Sequence, residues 1–76
     1  MSDDILKQEL FRNHFAQTLK SARKAAGITQ EQLAARLGVD RSLIAKYEWA
    51  STLPNTANIP EICELLNLTA EELFEL

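Results

Sequence analysis

Four residues in one short stretch, Arg41, Ser42, Ala45 and Lys46, have types and spacing suited to reading a polar surface. With Ile44 at the centre of a buried helical face, Ser42, Ala45, Lys46 and Trp49 point away from the core at 100° per residue. Arg41 then stands in the first turn. A guanidinium carries a planar fork of N–H donors, so Arg41 can bond guanine O6 and N7 together. Ser42 can bond a base edge or a phosphate, and Lys46 reaches either. Ala45 is small enough to let a helix sit deep against a thymine methyl. The bland alternative for Arg41 and Lys46 is a solvated charge, which residue type and spacing alone favour.

Flanking residues extend this chemistry of recognition. Gln30 stands at the start of a predicted helix, where free backbone N–H groups suit a phosphate; its plain alternative is a surface glutamine. Asp40 has two readings: a helix cap, which is the expected role, or a carboxylate placed to accept from a cytosine amino group. The hydroxyls of Ser51 and Thr52 can contact phosphate, though less strongly than a cation. Bond-making chemistry is not expected. The chain has one His and one Cys, and no triad or carboxylate constellation, so no enzyme and no cofactor are predicted. His14 has no second ligand at useful spacing for a metal. Cys63, beside Ile62, Leu65 and Leu66, reads as a small buried hydrophobe.

The elements that must position these residues are legible. Thr29 and Gln32 form a capping box opening a helix over 30–37, with Leu33, Ala34 and Leu37 on its apolar face. Gly38 permits a left-handed turn. Asp40 then caps a helix over 41–49. Two short helices joined at a glycine turn are the plan of a helix-turn-helix. Upstream, Ser2 is a candidate cap, and helical pattern runs to Ala26 with two faces. Phe11, Phe15, Leu19, Ala22 and Ala26 form one stripe, and Leu6 and Leu10 lie roughly opposite. Either the helix breaks near Asn13, or one helix shows a second apolar face to a partner. Alternatively Ile5, Leu6 and Leu10 fold back on the core. Downstream, 50–56 reads as a loop held by Pro54. A fourth helix starts at the Asn58 cap, preferred over Asn55, with Pro60 near its start, and ends at Leu66. Asn67 suits the left-handed cap, and Thr69 with Glu72 opens a last helix carrying Leu73 and Phe74.

The chain resembles the Cro/CI-type (XRE-family) helix-turn-helix regulators from Leu19 to about Phe74. The resemblance rests on Leu19, Arg23, Gly27, Ile28-Thr29-Gln30, Leu33-Ala34, Leu37-Gly38-Val39, Ser42, Ile44, Tyr47-Glu48, Pro54, Leu66 and Leu68. It implies an all-α fold, a compact five-helix lambda-repressor-like DNA-binding domain over 13–76, with an N-terminal helical extension over 1–12. It implies that the third helix docks in the major groove of double-stranded operator DNA. Gln30, Asp40, Arg41, Ser42, Ala45, Lys46, Ser51 and Thr52 are then the expected DNA-binding residues. The matching Gln30 would bond the phosphate backbone and buttress the third helix, and Arg23 with Glu48 would form a salt bridge between helices 1 and 3. The chain departs from the pattern at Ala50, where the family usually has glycine, and at Ser51, Thr52 and Leu53, which lack the usual basic residues. A left-handed alanine costs roughly 1 kcal/mol relative to glycine.

Composition bounds the rest. Seventy-six residues make one domain of modest stability. The net charge of −3 is unevenly spread. Over 19–60, Lys20, Arg23, Lys24, Arg36, Arg41 and Lys46 outnumber Glu31, Asp40 and Glu48, whereas 61–76 carries only acidic charge. Local field steers binding to phosphate, so the basic segment is compatible with DNA. The absence of a signal peptide, of a bilayer-length apolar run and of a cysteine pair predicts a cytoplasmic protein without membrane contact, and the family resemblance implies that it is bacterial or phage-encoded and nucleoid-associated. A single recognition helix reads few base pairs, so a homodimer is expected on half-sites about 34 Å apart. Candidate pairing surfaces are 49–53, the C-terminal helix with Leu73, Phe74 and Leu76, and the N-terminal extension. The rival reading is an antitoxin- or antirepressor-like protein-interaction module, engaging its partner through the N-terminal extension or the C-terminal helix.

Overall fold

The computed structural model describes residues 3–75. They form five α-helices with no strand among the described residues: α1 Asp3–Ala25, α2 Gln30–Leu37, α3 Arg41–Glu48, α4 Ile59–Leu66 and α5 Ala70–Phe74. A single 3-10 turn, Thr56–Asn58, leads into α4. The all-α, five-helix expectation therefore holds. At 1.5 Å per residue, the 23 residues of α1 span most of the 38 Å long axis of the molecule.

Every helix contributes to one core. Phe15 and Leu19 of α1, Leu33 of α2, Ile44 of α3, Ile62 of α4 and Leu73 of α5 are fully buried. Phe15 sits at the junction: its ring meets Tyr47 edge-on at 5.6 Å and stacks on Phe74 at 6.1 Å. Both geometries are favourable for aromatic quadrupoles. Further along α1, His14 Nε2 donates to the Glu72 carbonyl at 2.9 Å and ties α1 to α5. Leu73 is fully buried inside the monomer, whereas Phe74 is half-buried and keeps part of its ring at the surface; Leu76 lies outside the described residues.

Local chemistry sets the helix ends. Both capping boxes form: Thr29 Oγ1 accepts from the Gln32 N–H at 3.0 Å and Thr69 Oγ1 from that of Glu72 at 3.2 Å, with the reciprocal side-chain bonds in place. Gly27 and Gly38 adopt left-handed φ of 73° and 71°, ending α1 and α2. Asn67 closes α4 at φ 55°. The Ser2 cap falls outside the described residues.

Four expectations are corrected or decided. Asp40 occupies the N-cap position of α3, but its side chain makes no capping bond; only its carbonyl accepts, from Leu43 N–H at 3.0 Å. Asn58 likewise stands before α4 without a side-chain cap. Its amide is drawn to the Tyr47 hydroxyl, and Asn55 Oδ1 accepts the Ala57 N–H at 3.0 Å instead, starting the 3-10 turn that feeds α4. α1 passes Asn13 without a break, because an asparagine caps only a helix that begins there, and here the helical ladder is already running. Ile5, Leu6 and Leu10 do not fold back on the core: they are 46%, 54% and 44% exposed, since a straight helix carries them past the edge of the domain.

Candidate nucleic-acid interface

The rear of α3 is fixed by charge. Arg23, on the core-facing stripe of α1, sends Nε to Glu48 Oε2 at 2.7 Å and Nη2 to Glu48 Oε1 at 3.0 Å. Its Nη1 donates to the Ile28 carbonyl at 2.8 Å. Both residues are 8% exposed. The hydrogen bond to Glu48 raises the Arg23 pKa against the opposing effect of burial, and the carboxylate charge adds to the rise. Such a fork is directional, so it sets the rotation of α3 as well as its depth.

Gln30 carries that alignment to the surface. Its Nε2 donates to Glu48 Oε1 at 3.1 Å, and its Oε1 accepts from Arg41 Nη1 at 3.3 Å. The two bonds together fix which way the amide points. A continuous path therefore runs from Arg23 through Glu48 and Gln30 to the exposed Arg41 guanidinium. The Arg23–Glu48 pair and the buttressing role of Gln30 were implied by the family resemblance. The Gln30–Arg41 contact was not, because it depends on how closely the first turns of α2 and α3 approach, which periodicity does not encode.

The expected binding residues fall in three groups. Arg41, Ser42 and Lys46 are exposed, together on the outward side of α3. Shallow grooves flank them: Lys24, Gln30, Glu31 and Arg41 are among the residues lining one. Asp40, Ser42 and Lys46 line the other. Ser51 is exposed beyond the end of α3, and Thr52 is half-buried with its hydroxyl donating to the Leu53 carbonyl at 3.3 Å. Ala45 departs from the outward direction expected of it: it is only 8% exposed. A methyl next to the fully buried Ile44 is too short to reach solvent, whereas the longer side chain of Lys46 reaches it.

Trp49 ends α3 and is 74% exposed, with Leu53 44% exposed nearby in sequence. Ala50 adopts the left-handed φ of 60° that the family pattern reserves for glycine. Cys63 is half-buried rather than sealed, and burial, with the nearby Glu72 carboxylate, pushes its thiol pKa up. Among the described residues no group of metal-ligating side chains assembles, and no helix is long and apolar enough to cross a membrane.

Two capped helices at a glycine turn, with a charge-locked rear face and a polar front face, define a helix-turn-helix domain. Comparison with known proteins agrees. The sequence model of the Helix-turn-helix family matches residues 19–73. The chain is 36% identical over 55 residues to YazB, an uncharacterized HTH-type transcriptional regulator of Bacillus subtilis, covering 72% of this chain and 80% of YazB. It is 36% identical over 60 residues to the HTH-type transcriptional activator BcrR of Enterococcus faecalis, covering 79% of this chain but only 29% of BcrR. The crystal structure of the restriction-modification controller protein C.AhdI of Aeromonas hydrophila superposes with a TM-score of 0.74 at 33% identity, covering 83% of this chain and 96% of that one. The chain belongs to the helix-turn-helix family of DNA-binding transcriptional regulators.

Proposed function

We propose that the chain regulates transcription by placing α3 in the major groove of an operator, as a homodimer reading an inverted repeat. The observation that carries this reading is the path from the buried Arg23–Glu48 pair through Gln30 to Arg41. It orients an exposed guanidinium on the outward face of a short helix, where bidentate bonding to guanine is worth ~1–3 kcal/mol of discrimination. Ser42 and Lys46 stand beside it as base or phosphate contacts. Gln30 and Lys24, with Ser51 and Thr52 past the other end of α3, supply phosphate contacts that position without specifying. Asp40, uncapped and exposed, is free to accept from a cytosine amino group. Ala45 contributes chiefly by being small, which lets α3 approach the base edges. The regulatory role, as repressor or controller, follows the likeness to C.AhdI; the likeness to BcrR favours activation at some promoters.

Selection of bound duplexes from a random pool tests the reading, with Arg41→Ala as control. An enriched inverted repeat that the variant no longer selects supports it. Failure to enrich any sequence, even at low salt where phosphate contacts are strongest, overturns it in favour of a protein-binding module.

A further inference from the structure

The N-terminal part of α1 extends past the domain as an overhang. Residues 4 to 10 are all exposed, Phe11 is 37% exposed, and full burial begins at Phe15. At 100° per residue, Asp4, Ile5, Gln8, Phe11 and Arg12 share the face that continues the Phe15–Leu19 core stripe. Among the described residues Asp4, Ile5 and Gln8 stay exposed on that face, while Phe11 and Arg12 at its inner end are partly covered.

The order of residues on this face is its own complement. Counted outward from Gln8, Ile5 and Phe11 lie three residues away on either side, and Asp4 and Arg12 lie four away. We infer that a second copy of this chain docks here, its α1 antiparallel across a two-fold axis through Gln8. Ile5 then meets the partner's Phe11, Asp4 meets the partner's Arg12, and the two Gln8 amides face each other, each able to donate and accept. A two-fold interface must be self-complementary in this way, with every contact made twice. The lengths also match. The partner's residues 4–12 fill the overhang up to the domain edge, and this chain's residues 4–12 fill the partner's. Leu73 is spent inside the monomer and Phe74 is half-buried against Phe15, so the larger exposed apolar surfaces are this face, the opposite Leu6–Leu10 face and the Trp49–Leu53 loop. The loop carries no charged side chain to fix an orientation, whereas the α1 face carries two. Two helical segments of nine residues form an interface at the small end of the range, so pairing is concentration-dependent.

The inference rests on the homodimer reading and names its surface. Sedimentation equilibrium of the full chain without DNA, with four variants, tests both. Asp4→Arg sets two arginines against each other at each end and raises the dimer dissociation constant about tenfold. Adding Arg12→Asp on the same chain restores it. Asp4 and Arg12 are two helical turns apart within one copy and never meet there, so the rescue can arise only between copies. Ile5→Ser/Phe11→Ser abolishes pairing, while Leu6→Ser/Leu10→Ser, on the opposite face, leaves it intact. A dimer that survives Asp4→Arg, is not rescued by the swap, or is lost with Leu6 and Leu10 overturns the inference and leaves the homodimer standing. A wild-type chain that stays monomeric both free and on its selected duplex overturns the homodimer itself.

Discussion

Arg23 and Glu48 meet as a two-pronged ion pair, Nε to Oε2 at 2.7 Å and Nη2 to Oε1 at 3.0 Å, across 25 residues of sequence. The pair joins the first helix to the third, and Gln30 leans on the same carboxylate. A buried ion pair is weak evidence of net stability, because desolvation offsets much of the attraction. Its directional value is greater, since it fixes the helix that presents Arg41.

Removing one partner is a different matter. Glu48→Ala leaves the Arg23 guanidinium buried with only the Ile28 carbonyl as acceptor. The expected loss is ~3–5 kcal/mol, a large share of the roughly 4–11 kcal/mol that a domain of this size possesses. Thermal denaturation followed by circular dichroism checks this. An unchanged melting temperature would show that the guanidinium finds water and that the pair is ornamental to the fold.

Arg41 and Lys46 share a helix but should fail differently. Arg41→Ala is expected to weaken operator binding by ~1–3 kcal/mol and to relax preference at one base pair. Lys46→Ala, if Lys46 meets phosphate, should weaken binding to all sequences alike and lower the slope of log K against log salt by about 1. Both residues are exposed, so both variants should melt within about 0.5 kcal/mol of the parent. Binding titrations at several salt concentrations separate the two. Equal salt slopes for parent and Lys46→Ala would place Lys46 on a base edge or off the DNA.

Cys63 gives the alkaline limb of stability a testable cause. Burial, and then the charge of Glu72, raise its pKa above the ordinary 9.0. The native state therefore holds its thiol proton to higher pH than the unfolded chain does. By linkage this contribution to stability is fully present below pH 9, and declines as pH rises through the native pKa. Urea titrations from pH 7 to 10.5 should show stability falling above pH 9 in the parent. Cys63→Ala should show a smaller fall. Parallel curves would mean that the thiol is as well solvated in the native state as in the unfolded chain.

How much of this was readable in advance varied with the range of the interaction. Capping boxes at Thr29 and Thr69, the turn at Gly38 and the left-handed Asn67 all involve partners within a few residues, and the sequence displays them directly. The Arg23–Glu48 pair was reachable only through family resemblance, because no local rule couples residues so far apart. Expectation failed at Asp40, whose exposed side chain leaves α3 uncapped, at Ala45, which is buried although the helical wheel turns it outward, and at Asn58, where a tertiary partner, the Tyr47 hydroxyl, holds the side chain. The Gln30–Arg41 contact was invisible for the same reason.

Ala50 tests whether the family's glycine rule is felt in this chain. It holds φ at 60°, a conformation that costs a side-chain-bearing residue ~1–2 kcal/mol. Ala50→Gly removes that strain but enlarges the conformational freedom of the unfolded chain, which returns ~0.4–1 kcal/mol of the gain. The net expectation is a stabilisation of about 0.5–1 kcal/mol, or a melting temperature roughly 2–8 °C higher. Gly38→Ala is the mirror experiment. Its φ is 71°, and a Cβ there would meet nothing within 4 Å, so any loss reports backbone strain alone and should be similar in size and opposite in sign. If Ala50→Gly melts lower than the parent, the left-handed turn after α3 is held by something other than backbone preference. The Ser51 N–H bonded to the Lys46 carbonyl at 2.9 Å is then the first contact to examine, since it closes that turn.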